Sequence, residues 1–174
     1  MAHESVRLIR LVIPGLALAI AAACAQPAPA PPATTAAASA PPAEAYAPGL
    51  GEIMTLQQMR HTKLWFAGQA GNWALAAYEL EELQEGFDDV VHFHPTHKDA
   101  PVAPKDAMPR MIPEAMRVLT EVVERKDAAA FPAAFDALTT KCNDCHTAMD
   151  FGFNRVQRPA SNPYPNQIFE APKP

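Results

Sequence analysis

No nucleophile paired with a base, no glycine-rich phosphate loop and no acid/base dyad can be found in this chain of 174 residues. Enzymatic chemistry by side chains alone is therefore the weaker class of function. Positive charge is also short: 14 Lys and Arg stand against 19 Asp and Glu, for a net charge of −5. That balance does not suit a nucleic-acid backbone. It suits solubility and a basic protein partner. No stretch shows a β period of two, and no segment repeats, so neither strands nor a solenoid are expected. The longest uncharged apolar run near the N-terminus, residues 11–23, is too short for a comfortable membrane span. Cysteine is scarce as well, with three residues at Cys24, Cys142 and Cys145.

Two of those cysteines sit in the most informative feature of the chain, the pentapeptide Cys142-Asn143-Asp144-Cys145-His146. Cys-x-x-Cys-His is the attachment signature of a c-type haem. Each thiol can form a thioether to a haem vinyl group, and the histidine that follows can reach the iron as an axial ligand. On a helix, residues three and four apart share a stripe, so all three side chains point the same way. Two other readings compete. A redox disulfide would need a thioredoxin-like strand–helix context, which the neighbouring sequence lacks. Half of a zinc site would need partners such as His92, His94 or His97.

The N-terminus bears on compartment. Residues 1–25 read as an export signal, with Arg7 and Arg10 as the positive region ahead of the apolar run. Two processing routes fit. Cleavage after Ala25 follows the A-x-A pattern of Ala23-Cys24-Ala25. Alternatively residues 21–24 form a lipobox, with the signal ending at 23 and Cys24 lipidated as a membrane tether. An uncleaved anchor is the third reading. Either processing route accounts for the odd cysteine and leaves only the motif pair. Haem attachment takes place outside the cytoplasm, so a periplasmic or exported location and the motif support each other. Cleavage removes Arg7, Arg10 and Glu4, which takes the net charge to −6. Residues 26–49 are almost entirely Ala, Pro, Thr and Ser, a stiff tether that cannot bury a core. Residues 50–150 then make one domain, and residues 151–174 an aromatic, proline-dotted tail expected to pack on it in extended form.

Four amphipathic helices are expected in that domain. The first opens at Met54, with Thr55 and Gln58 as a capping box and Met54 and Met59 as a hydrophobic staple, and stops at Gly71. Asn72 caps the second, whose stripe is Trp73, Ala76, Leu80, Leu83, Phe87, Val90 and Val91. Glu79, Glu81, Glu82 and Glu85 form its solvated face, and Pro95 ends it by His94. A long connection over residues 92–110 follows. Pro113 and Glu114 start the third helix, with Ala115, Met116, Leu119, Val122 and Val123 inward. Asp127 caps the fourth, where Phe131, Phe135, Leu138, Cys142, Cys145, His146 and Met149 share a face. Four such helices with a cofactor site on one inner face imply an all-α four-helix bundle holding one covalent haem.

Over roughly residues 51–151 the domain resembles the cytochrome c′ type of class II c cytochromes, which carry Cys-x-x-Cys-His on the last of four helices. The resemblance implies that Cys142 and Cys145 are the thioether attachments and His146 the proximal ligand of one haem c. It also implies a sixth iron site facing the first helix. The long middle connection and the 28 residues beyond His146 depart from the family pattern. His61, on one face with Gln57, Gln58 and Trp65, is a candidate distal ligand; Met54, Met59 or an open site are the alternatives. Two strong protein ligands would suit electron transfer to an unidentified redox partner protein. An open side would suit binding of a small gas such as NO or CO. Arg155 and Arg158 are candidate partners for a haem propionate. His92, His94 and His97 either hold zinc or copper or serve the helix end.

Overall fold

The computed structural model describes residues 46–98 and 100–173. The export segment, Cys24 and the tether up to residue 45 lie outside the described residues. Among those described there are five helices and no strand: α1 (Leu50–Gln69), α2 (Trp73–Phe93), α3 (Pro104–Met111), α4 (Pro113–Glu124) and α5 (Phe131–Ala148). The fold is all-α, as expected, with one helix more than the four anticipated. No helix among the described residues is long and apolar enough to cross a membrane.

The extra helix falls inside the long middle connection. Pro104 occupies its first turn with Asp106 beside it, the same Pro-plus-acid signal that begins α4 at Pro113 and Glu114. Proline density in residues 92–110 hid it. Pro109 is exposed on α3, and the chain turns into α4 directly through Ile112.

α1 also starts earlier than expected. Gly49 is its N-cap, and the Glu52 carboxylate accepts from the Gly49 N–H at 3.2 Å. An acidic side chain at the third helical position satisfies a backbone donor that the first turn leaves over. Thr55 is no cap: its hydroxyl donates to the Gly51 carbonyl at 2.8 Å, a bond within the helix. Met54 and Met59 consequently lie inside α1 rather than flanking its start. Asn72 does cap α2, accepting from the Leu75 N–H at 3.2 Å, and α2 ends at Phe93 with His94 as its C-cap. The Asp127 carboxylate accepts from the Ala129 and Ala130 N–H groups in the turn leading into α5.

α1 packs along α2, α2 on α4, and α4 on α5, while α3 wedges against α2, α4 and α5. The anticipated stripe of α4 is buried throughout, and Leu64, Leu83, Val90, Leu119, Phe131, Phe135 and Leu138 form the most deeply enclosed part of the core. Two glycines set close approaches. A Cβ on Gly68 of α1 would stand 2.1 Å from the Phe131 ring, and one on Gly86 of α2 would stand 2.3 Å from Oε1 of Gln57. One residue of the supposedly solvated acidic face is buried: Glu79 is only 3% exposed. It lies near Lys63 and Arg60 of α1, and burial raises its carboxyl pKa against their opposing pull.

Residues 151–173 contain neither helix nor strand. They are fastened to the helices at several points. Phe169 is buried against Phe66, Lys63 sits over the Tyr164 ring, and Asn72 reaches the Glu170 carbonyl. Arg158 pairs with Asp136, reaches the Pro132 carbonyl, and lies over the Trp65 ring at 4.4 Å.

Candidate functional site

The pentapeptide occupies the last two turns of α5, where helical spacing places Cys142, Cys145 and His146 on one stripe. That stripe borders a partly open cavity of about 80 Å³. α1 supplies Met54, Gln57, Gln58 and His61 to its wall; α2 supplies Leu83 and Phe87; α3 and its C-cap supply Met108 and Ile112. Leu138 of α5 and residues 154–156 of the tail complete it. Its lining, mostly apolar with a few converging polar groups, has the composition of a small-molecule or cofactor site.

Cys142 and Cys145 are free thiols. Burial, with Cys145 alongside, pushes the Cys142 thiol up to about 12, and burial raises Cys145 as well. Both hold their protons at neutral pH, as free thiols do. The Cys145 thiol faces Sδ of Met149 at 3.8 Å. Nδ1 of His146 lies 2.6 Å from the Asn154 carbonyl oxygen. A carbonyl can only accept, so Nδ1 carries the proton, and in the neutral ring the lone pair belongs to Nε2. The residues therefore fit a haem: two thiols and one imidazole with its ligating nitrogen free, on one face at one apolar cavity.

His61 is buried, at 4% exposure, in the wall of the same cavity. Its ring lies 4.3 Å from that of Phe135. Nε2 meets the Thr139 hydroxyl at 2.8 Å, and that hydroxyl is also 2.9 Å from the Phe135 carbonyl. The carbonyl takes the hydroxyl's single proton, so Thr139 accepts from Nε2–H of His61. Burial lowers the His61 pKa to about 4, leaving the ring neutral at neutral pH. Thr139 precedes His146 by seven residues, about 10 Å along the helix axis. His61 thus shares the cavity with the motif but gives Nε2 to α5. Met54 lines this cavity and a neighbouring one that His146 also borders; Met59 lines neither.

The histidine-rich connection divides. His92 is exposed against Phe93, and His94 reaches the Pro48 carbonyl at 2.8 Å, tying down the entry to α1. His97 stacks on Phe151 and borders the neighbouring cavity with Cys145 and His146. Among the described residues, no three His, Cys, Asp or Glu side chains converge as a set that could hold a metal ion. A zinc site therefore finds no ligand set there. Arg158 is engaged with Asp136 and Trp65, while Arg155 lines the cavity.

Several participants were not anticipated from the sequence. Gln57 is buried and donates to the Leu83 carbonyl at 2.7 Å while accepting from Arg60, which also pairs with Glu82. This locks α1 to α2 at the cavity wall. Thr139 and Asn154 carried no signal of their own, since each acts through a contact made across the fold. No protein-family model, curated protein or solved structure matches this chain.

Proposed function

We propose that this chain is an exported mono-haem c-type cytochrome of the cytochrome c′ kind that transfers electrons to a partner protein. Cys142 and Cys145 bind the haem through thioethers, and His146 is the proximal ligand. The observation that carries this reading is the convergence of two free thiols and the His146 imidazole, its Nδ1 held by the Asn154 carbonyl, at one mostly apolar cavity. A bound haem would supply an iron that exchanges one electron at a potential tuned by its axial ligands and surroundings. The chain's own part is to exclude water with Leu83, Phe87, Met108 and Leu138, to hold the imidazole, and to offer Arg155 at the cavity wall to a propionate. In this reading residues 1–25 direct export, and a lipidated Cys24 would tether the domain through the proline-rich segment. Expressed with a c-type maturation system, the protein should keep its haem stain on a denaturing gel. Cys142→Ala combined with Cys145→Ala should abolish it, and an unchanged stain in that variant would sink the assignment.

A second reading is binding of a small gas at an open distal side. It is favoured by the bond that occupies Nε2 of His61 at the level of Thr139. Carbon monoxide added to the reduced protein separates the two. A large spectral change at neutral pH supports gas binding, and none supports a six-coordinate electron carrier.

A further inference from the structure

Asn143 stands between the two motif cysteines, and its side chain does not face the cavity wall. It makes a two-way bridge to the tail: Nδ2 donates to the Val156 carbonyl at 2.9 Å, and Oδ1 accepts from the Val156 N–H at 2.8 Å. One amide thereby copies the pairing of a strand neighbour on a segment that has no strand. Two residues upstream of Val156, the Asn154 carbonyl meets Nδ1 of His146 at 2.6 Å. Asn154 is also held by a turn, its N–H donating to the Phe151 carbonyl at 2.8 Å. The Asn154 carbonyl is thus fixed on both sides, by the turn before it and by the Asn143 bridge after it.

We infer that Asn143 is a positioning residue: it seats the C-terminal segment so that the Asn154 carbonyl holds the His146 ring in the Nδ1–H tautomer with Nε2 toward the cavity. The inference rests on the haem reading above and assigns to the tail a specific task toward the axial ligand. An acceptor on the non-ligating nitrogen fixes ring orientation and makes the imidazole a stronger donor to its metal. Losing it leaves a less basic ligand that stabilises the reduced iron relatively better.

The test uses the full-length, haem-loaded protein. Asn143→Ala removes both bonds to Val156. It should lower the iron–histidine stretching frequency of the five-coordinate reduced protein in resonance Raman, and raise the reduction potential whatever the coordination number. Asn143→Asp keeps the acceptor for the Val156 N–H and loses the donor to its carbonyl, so its shifts should be intermediate. Lys63→Ala loosens the same segment where Lys63 sits over the Tyr164 ring and should leave both readouts at the wild-type values. Wild-type readouts in haem-loaded Asn143→Ala and Asn143→Asp would overturn the inference while leaving the haem assignment standing. Equal shifts in Lys63→Ala would also overturn it, because general fastening of the tail would then suffice. A wild-type protein without covalent haem would bring down the functional reading and this inference together.

Discussion

The two ends of the α1–α5 contact are built in opposite ways. Toward the C-terminal end of α1, Trp65 meets Phe131 and Phe135, Trp73 meets Phe131 edge-on, and the Phe131 ring sits where a side chain on Gly68 would have been. Toward the N-terminal end of α1 the same two helices face each other across a cavity, with Met54 and Gln57 on one side and Cys142, Cys145 and His146 on the other. His61 and Thr139 mark the boundary. Aromatic rings fill the space between the two helices at the solid end, and smaller or polar side chains leave part of it open at the hollow end. A cavity between helices thus depends on packing two turns away from it, because close-packed interiors transmit changes in spacing instead of absorbing them.

The comparison is broken most severely at its solid end. Phe131 is fully buried, and Phe131→Ala should cost about 3–5 kcal/mol, the usual range for an aromatic truncated in a core. Chemical denaturation would show it as a lowered midpoint, and a loss below 1 kcal/mol would mean that the aromatic end is not tightly packed. At the boundary, Thr139→Val leaves the buried Nε2–H of His61 without its acceptor and should cost about 1–3 kcal/mol. In the haem-loaded protein it also releases the ring from α5. His61→Ala separates the roles: a low-spin wild type turned high-spin by this change makes His61 the distal ligand. A wild type already high-spin, or a low-spin spectrum that His61→Ala does not alter, rules that role out and leaves Met54 or an open site.

The smallest effect concerns the α1–α2 face behind the cavity wall. Burial raises the Glu79 pKa, so the folded protein holds that proton more tightly than the unfolded chain does. Its contribution is favourable at low pH and is lost as pH rises from the ordinary carboxyl value through the raised one. Glu79→Gln should therefore gain stability at neutral pH and lose the advantage below pH about 4. Equal stability of variant and wild type at pH 7 would show that Lys63 and Arg60 fully offset the burial.

Much of this was legible in the chain. The cap at Asn72 and the stripes of α2, α4 and α5 follow from side-chain type and helical period, which act locally, whereas Asp127 bonds only the turn before α5, whose N-cap is Ala130. The start of α1 and the existence of α3 were misread for a local reason too. Glu52 after Gly49 outweighs Thr55 as the opening signal of α1, and Pro104 with Asp106 opens α3 amid prolines that otherwise signal a loop. Glu79 was misplaced for a different reason: its neighbours are Lys63 and Arg60 of another helix, and no pattern within α2 announces them.

Residue order alone determined that Cys142, Cys145 and His146 share one helical stripe, because 3.6 residues per turn leaves no alternative once α5 forms. It determined the all-α class by the same periodicity. Only the tertiary structure decided which nitrogen of His61 and of His146 is engaged, that His61 faces Thr139, and that a carbonyl eight residues past His146 returns to its ring. Those are contacts between segments distant in sequence or turned back by a loop. Their geometry is set by how whole helices and the tail pack, and side-chain identity does not encode it until the chain has closed on itself.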